Sequence, residues 1–432
     1  MCNILHNAEP ASNPRTKSSE CLLRKHMLSP RSFCSFVVLF YLVFSITVAW
    51  AQTASRPSPY LFVWARSADT SQPDFLAVID ALPSSPMYGD VITTVSSGIP
   101  VNLAHHTEYS MPPGGILFAN DYTSGLTFRF DLRDPRSPKL LGVFGAAGPY
   151  THPHSFVHLP DGHVLATYQM KGPMNHAPGA LVELDGEGRL IRSSAAADPS
   201  VEKFIRPYSL AVVPALDRVV TSSADMYKTD ISHVVQVWRL SDLHLLKTIR
   251  LPAGPRGVEG VDSSEPRLLA DGRTVLVPTF NCGLYRITGL EGDSPSASLL
   301  YDFGGMTCAV PVVAGHYWIQ TVAKLHANAV VALDISDLSK PVEAGRVTLG
   351  PRDWPHWLAL EPDGKRLALT GYQDLQNQIV VINLGESGSL SIDPLFHNSQ
   401  SGDEPGIRLD SKHWSHGGSG SAVPHGVVFS LP

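Results

Sequence analysis

Pro160-Asp161-Gly162-His163-Val164-Leu165-Ala166-Thr167-Tyr168 decides the fold, because the phrase returns twice further along the chain. Ala270-Asp271-Gly272 leads into Arg273-Thr274-Val275-Leu276-Val277, and Pro362-Asp363-Gly364 leads into Lys365-Arg366-Leu367-Ala368-Leu369-Thr370. Each Asp-Gly pair is the signature of a tight turn between two strands, and the apolar run after it is too short for a helix. A second phrase accompanies the first, an apolar strand that runs into an acidic or polar turn. It reads Leu126-Thr-Phe-Arg-Phe-Asp131, Ala180-Leu-Val-Glu-Leu-Asp185, Val234-Val-Gln-Val-Trp238, Ala329-Val-Val-Ala-Leu-Asp334 and Gln378-Ile-Val-Val-Ile-Asn383. A further strand follows in Pro138-Lys-Leu-Leu-Gly-Val143, His244-Leu-Leu-Lys-Thr-Ile249 and Pro341-Val-Glu-Ala-Gly-Arg-Val347.

Repetition of a four-strand unit every roughly 45 to 70 residues, with almost no helical periodicity, is the pattern of an all-β propeller. Six complete units open near His106, His154, Tyr208, Ser264, Cys308 and His356. A seventh is split. Pro424-His425-Gly426-Val-Val-Phe429 supplies its innermost strand, and Tyr60-Leu-Phe-Val63, Asp74-Phe-Leu-Ala-Val-Ile79 and Asp90-Val-Ile-Thr-Thr94 supply the other three. Pairing of the two chain ends in one blade closes a seven-bladed ring and removes the open sheet edges that invite aggregation.

Register singles out one position per blade. Pro112, Pro160, Pro214 and Pro362 each lie six places after His106, His154, Tyr208 and His356, and the same offset takes Ser264 to Ala270 and Cys308 to Ala314. His425 is the equivalent residue of the split blade. Innermost strands line the central channel, so these seven residues form a ring at one end of it. Four of them are histidine in a chain that has 18 histidines among 432 residues. Imidazoles gathered from separate strands suit copper, zinc, iron or nickel, and close imidazoles repel one another when protonated. His106, His154, His356 and His425 are therefore the expected metal ligands. Around them His105, Glu108, Tyr208 and Glu265 are the candidates for orienting partners. His152, His158 and His163 crowd one strand and turn, and alternation keeps them from all facing the channel.

Composition bounds the rest. Residues 31–51 form an apolar stretch preceded by Arg24, Lys25 and Arg31 and ending in Ala49-Trp50-Ala51, the pattern of a signal peptide cleaved before Gln52, with Met27 as an alternative start. An uncleaved anchor is the other reading of the same residues. Residues 1–51 hold five Lys/Arg and two Asp/Glu, so residues 52–432, read as a single propeller domain, keep 28 basic against 37 acidic side chains. Nucleic acid is an unsuitable partner for that charge, and after cleavage no membrane insertion is expected. Cys282 and Cys308 are the two cysteines that remain, either paired or separate buried thiols. Residues 397–416, rich in Ser, Gly and His, read as an insertion that either caps the channel or stands as a loose loop. There is no Gly-x-Ser-x-Gly elbow, glycine-rich phosphate loop or Cys-x-x-Cys pair.

Pro73-Asp-Phe-Leu-Ala-Val-Ile-Asp80, Ser85-Pro-Met-Tyr88, Val91-Ile92 and His105-His106 follow one another in an order that resembles the selenium-binding protein family, which includes bacterial methanethiol oxidases. Asp134-Pro-Arg-Ser-Pro-Lys-Leu140 and Asp334-Ile-Ser-Asp-Leu-Ser-Lys-Pro341 are similar to its blade turns. The resemblance implies a copper-dependent oxidation of methanethiol by oxygen to formaldehyde, hydrogen sulfide and hydrogen peroxide, with family histidines at His105, His106, His154 and His425. Three departures are plain. Gly89 stands where the family has its selenium-associated cysteine, His154-Ser155-Phe156-Val157-His158 keeps only the first histidine of a His-Thr-x-His-Cys segment, and His356 replaces a glutamine. The expected protein is thus an exported, periplasmic or secreted, copper-dependent oxidoreductase acting on a small thiol and oxygen. A lactonase-like hydrolase and a metal-binding scaffold without catalysis are the alternatives.

Overall fold

The computed structural model of the chain describes residues 56–432 apart from 102, 400 and 403, so the expected signal segment at residues 1–51 lies outside the described residues. Seven antiparallel sheets follow one another in chain order, and a 3-10 turn at Pro214–Leu216 is the sole helical element among the described residues. The blades begin with the innermost strands Ala104–Thr107, Tyr150–His158, Pro207–Val213, Arg267–Leu268, Val312–Ala314, Asp353–Leu360 and Gly420–Phe429. We number the blades one to seven in that order. In blade seven the carboxyl-terminal strand pairs with Tyr60–Ser67, which continues through Phe75–Asp80 to Val91–Ser96. The chain ends close the ring as the repeat pattern predicted.

The repeated phrases fall where the sequence put them. Leu126–Asp131 and Ala329–Asp334 are third strands, and the Asp-Gly phrases are turns between first and second strands. In each turn the aspartate accepts a backbone N–H two residues on, as Asp161 does from His163, Asp271 from Arg273 and Asp363 from Lys365. The next residue is a glycine with positive φ, at 88°, 67° and 75°, a conformation that costs a side chain but not a glycine.

Middle strands are covered on both faces by neighbouring blades and are largely buried, Ala180–Leu184 throughout. Outermost strands have one wet face, so Lys139–Phe144 alternates between exposed and half-buried residues. Their charged side chains, among them Lys139, Lys247 and Arg346, blunt the free edges. Tryptophans sew blades together: Trp64 Nε1 donates to the Asn120 carbonyl of blade one at 2.8 Å, and Trp357 Nε1 to the Val427 carbonyl of blade seven at 3.0 Å. Fully buried apolar side chains of this kind each contribute roughly 1.5 to 3 kcal/mol.

The segment at 397–416 does not cap the channel. Phe396, Ile407, Leu409 and Trp414 pack into the core that blades six and seven share, and Ile407–Arg408 pairs with the third strand of blade six. Trp414 lies against Phe75 with ring centroids 5.0 Å apart, so this stretch is a wedge between blades. Cys282 and Cys308 form a disulfide joining blade four to the start of blade five, with Cα atoms 4.9 Å apart.

Candidate metal centre

Five innermost strands shift register at the ring position. The shifts fall between Ala104 and Thr107, Pro153 and Phe156, Pro207 and Leu210, and Pro355 and Trp357. In blade seven Val427 pairs with Val63 but Pro424 with Ala65, so His425 and Gly426 face the single residue Trp64. An extra residue of this kind leaves the ladder and re-aims its side chain, here into the channel. A Cβ on Gly426 would strike the Thr107 backbone nitrogen and the His105 carbonyl. Only glycine lets blade seven come this close to the His105-His106 pair.

A repeated latch holds the ring in place. The second strand of each of five blades sends one side chain to the carbonyl of the next blade's ring residue. Asn120 donates to the His154 carbonyl at 3.1 Å, Thr167 to that of Tyr208 at 2.8 Å, Thr321 to that of His356 at 3.5 Å and Thr370 to that of His425 at 2.7 Å, and Ser222 does the same for Ser264. Asn120 also accepts the His106 N–H at 2.7 Å, tying the first two histidine bulges to one amide.

The structure brings the four expected ligands together and adds His105. Ring nitrogens of His105, His106 and His154 lie within 4.8 Å of one another, and so do those of His106, His356 and His425. His106 belongs to both triads. Strict alternation would put His105 and His106 on opposite faces; His105 is expected as a partner flanking His106 and, from the resemblance, as one of the family histidines. The bulge breaks the alternation, and the two rings stack with centroids 4.1 Å apart and planes 7° apart. His105 also lies 4.4 Å from His425, centroid to centroid, inside the cluster.

Each of the five imidazoles has a buried nitrogen without a well-formed hydrogen bond: Nδ1 of His105, His106 and His425, and Nε2 of His154 and His356. A buried polar atom left so costs about 1 to 3 kcal/mol, and five in one place call for an occupant. The opposite nitrogens of two of them are fixed. His154 Nδ1 lies 2.7 Å from the Tyr208 carbonyl and so carries the proton, and His425 Nε2 shares a 2.8 Å hydrogen bond with the Tyr372 hydroxyl. Such orienting contacts are those a metal-bound imidazole requires.

Burial, then the neighbouring imidazoles, holds His105 and His106 well below the usual histidine range, and burial does the same to His356. Burial lowers His154 to about 3 and His425 to about 4, offset in part by the Tyr208 carbonyl and the His105 backbone respectively. The cluster is therefore uncharged near neutrality, with lone pairs available for a borderline or soft cation.

Among the other expected partners, Tyr208 and Glu265 adjoin the cluster. The Tyr208 ring lies 4.0 Å from that of His154, and Glu265 Oε1 is 3.9 Å from His106 Nδ1. Glu108 does not adjoin it. Its carboxylate accepts the Phe118 N–H at 2.9 Å and lies 3.0 Å from His158, because the chain has resumed alternation by that residue and turns it into the blade. Residues that sequence reasoning missed include Tyr372, Asn120, Trp357 and Arg267, whose guanidinium stacks 3.9 Å over Tyr109 beside Glu265. A buried polar residue near the end of a second strand is the one pattern that marks the latch residues.

These features define a class: a seven-bladed β-propeller with a five-histidine cluster in its channel. No family model matches the sequence, and no curated protein matches it. Solved structures do match the fold. A hypothetical selenium-binding protein from Sulfolobus tokodaii is 16% identical, with a TM-score of 0.65 over 87% of this chain and 94% of its own. The periplasmic gluconolactonase PpgL of Pseudomonas aeruginosa is 14% identical, with a TM-score of 0.56 over 86% of this chain and 99% of its own. A putative 6-phosphogluconolactonase from Bacteroides fragilis is 10% identical, with a TM-score of 0.56 over 87% of this chain and 98% of its own. At these identities the likeness is one of fold.

Proposed function

We propose that the channel histidines hold a transition metal, copper by preference, and that the protein oxidises a small thiol with oxygen. The carrying observation is the set of five buried imidazole nitrogens without hydrogen-bond partners. His106, His154, His356 and His425, joined by His105, are the residues that would hold the ion. When bound, copper supplies the one-electron redox chemistry that couples a thiol to oxygen. For methanethiol the balance is one molecule each of methanethiol, dioxygen and water going to one each of formaldehyde, hydrogen sulfide and hydrogen peroxide. The carbon–sulfur bond breaks, carbon loses two electrons, oxygen gains them, and water supplies the aldehyde oxygen.

The chain's own residues set the stage. His105, His356, Tyr208 and Tyr372 line a cavity of about 540 Å³ through which a thiol reaches the cluster. Burial keeps the Tyr372 phenol protonated, and its hydrogen bond to His425 Nε2 places an O–H beside the cluster to hold or pass a proton. The disulfide and the apolar stretch before Gln52 support placing this activity outside the cytosol.

The gluconolactonase neighbours favour a second reading, a hydrolase in which an ion serves as Lewis acid. A calcium ion of that kind wants six to eight oxygen ligands. The cluster offers nitrogen, with the Glu265 carboxylate 3.9 Å from His106 Nδ1. To test the first reading, the protein purified from a copper-replete host is assayed for bound metal and for sulfide and peroxide release from methanethiol. We expect copper and both products in the wild type and neither in the His154→Ala/His425→Ala variant. A copper-free wild-type protein that releases no sulfide removes this reading, and lactone hydrolysis by that protein establishes the other.

A further inference from the structure

The cavity above the histidines is large for methanethiol. Its volume of about 540 Å³ is in the range that encloses organic molecules of many heavy atoms. Phe280 and Trp354 contribute aromatic walls, and Lys228 reaches its rim from an exposed loop of blade three. The backbone here is strained: Lys228, Asp262 and Gln373, all lining residues, have positive φ of 53°, 52° and 57°. Such conformations are strained for a non-glycine residue and collect at functional sites.

The Lys228 loop is built to present its cation. Asp225 accepts the backbone N–H groups of Tyr227, Thr229 and Asp230 and the Thr229 hydroxyl, which clamps the turn that carries Lys228. Those contacts, with Arg206 3.7 Å away, commit the Asp225 carboxylate elsewhere. Asp262 accepts the Ser232 N–H at 3.0 Å and makes no ion pair with Lys228. Lys228 makes no ion pair among the described residues and lines the same cavity as His356. A free cation at the mouth of a chain with net charge −6 favours an anion there.

We propose that the cavity selects a small anionic thiol, one with a carboxylate a few bonds from its sulfur, and that Lys228 receives the carboxylate while the sulfur faces the histidines. The sulfur end of this assignment rests on the function proposed above; the anion end rests on Lys228 alone. The test is calorimetric binding of three probes to the purified protein, both copper-loaded and chelator-stripped: 3-mercaptopropionate, neutral 2-mercaptoethanol and cationic cysteamine. We expect the wild type to favour 3-mercaptopropionate over 2-mercaptoethanol by about fivefold in both forms and to bind cysteamine least. That preference disappears in Lys228→Gln and in Lys228→Asn, the second chosen because asparagine tolerates positive φ, with unfolding temperatures confirming that both fold. Equal binding of the three, tightest binding of cysteamine, no binding of 3-mercaptopropionate to either form, or a preference that survives both substitutions overturns the proposal. A Lys228-dependent preference in a protein that neither retains copper nor consumes thiol removes the thiol oxidation and leaves the anion site standing. Thiol consumption with a Lys228-independent preference does the reverse.

Discussion

The channel wall has two halves that the repeat makes equivalent and the structure makes different. Blades six, seven, one and two present His356, His425, His106 and His154 from bulged strands, and blade three adds Tyr208 from another bulge. Blades four and five have the same ring positions, Ser264 and Cys308, but their innermost strands shrink to Arg267–Leu268 and Val312–Ala314 and pair without a register shift. Ser264 bonds back to Pro278 within its own blade, and Cys308 is tied by its disulfide. The ring histidines enter the channel where a bulge turns the side chain inward. On the other half the chain spends the position on holding itself, and Glu265 and Arg267 occupy the channel instead.

The sharpest break in this comparison is one alanine on each half. His106→Ala removes the member common to both triads and leaves no three nitrogens of the cluster within bonding reach of one another. We expect copper affinity to fall by more than about 100-fold, since even residues that only orient ligands cost 10- to 100-fold. Ser264→Ala is expected to change it by less than about twofold. Competition titration with a chelator reads both, and similar losses would mean that the two halves do not differ in function.

Removing the disulfide probes the other half. Cys282→Ser/Cys308→Ser opens a loop of sequence separation 26, for which denatured-state entropy predicts a loss of roughly 3 kcal/mol in unfolding free energy. Copper stoichiometry should stay at the wild-type value. Urea unfolding and metal analysis check the two arms, and loss of copper together with stability would show that the cross-link also positions the histidines.

How much of this was legible in the sequence follows from what each feature needs. Asp-Gly turns and buried strands announce themselves locally, so the third strand of blade one reads as Leu126–Asp131 in the sequence and in the structure alike. The four ring histidines were found because register is a repeat property. His105 enters the cluster through a bulge, which leaves no mark in composition: the chain breaks strict alternation between Ala104 and Thr107. Glu108 turns into its own blade instead of the cluster because the register is recovered at Thr107, one residue before it. Tyr372 and Arg267 meet the cluster only through the ring, and no short-range pattern predicts contacts between blades. The wedge at 397–416 was read as a cap or a loose loop because Phe396, Ile407 and Trp414 are scattered among Ser and Gly, a spacing that matches neither strand nor helix.

The smallest effect we argue for comes from the support of the histidine half. Asp74 of blade seven accepts the Ser67 N–H at 3.1 Å and, across the blade boundary, the Ala104 N–H at 2.8 Å, directly before His105-His106. Asp121 takes the preceding N–H, that of Leu103, at 2.6 Å. Burial raises Asp74 to about 7 against these hydrogen bonds, and the Asp121 charge adds to the rise. With the folded value above the unfolded one, the folded state binds more protons between about pH 4 and pH 7, so this group's contribution is complete below pH 4 and is lost as pH rises through about 7. The loss should be on the order of 2 kcal/mol once relaxation around the buried charge is allowed for. Asp74→Asn keeps the shape and an acceptor oxygen but cannot ionise. Unfolding free energies of chelator-stripped wild type and variant from pH 4 to pH 8 should therefore diverge, the variant gaining on the wild type most steeply between about pH 5 and pH 6 and levelling off above about pH 7. A difference that stays flat across that range would mean that Asp74 is ionised throughout, and that the strand before the histidines is held by a carboxylate whose charge the hydrogen bonds fully stabilise.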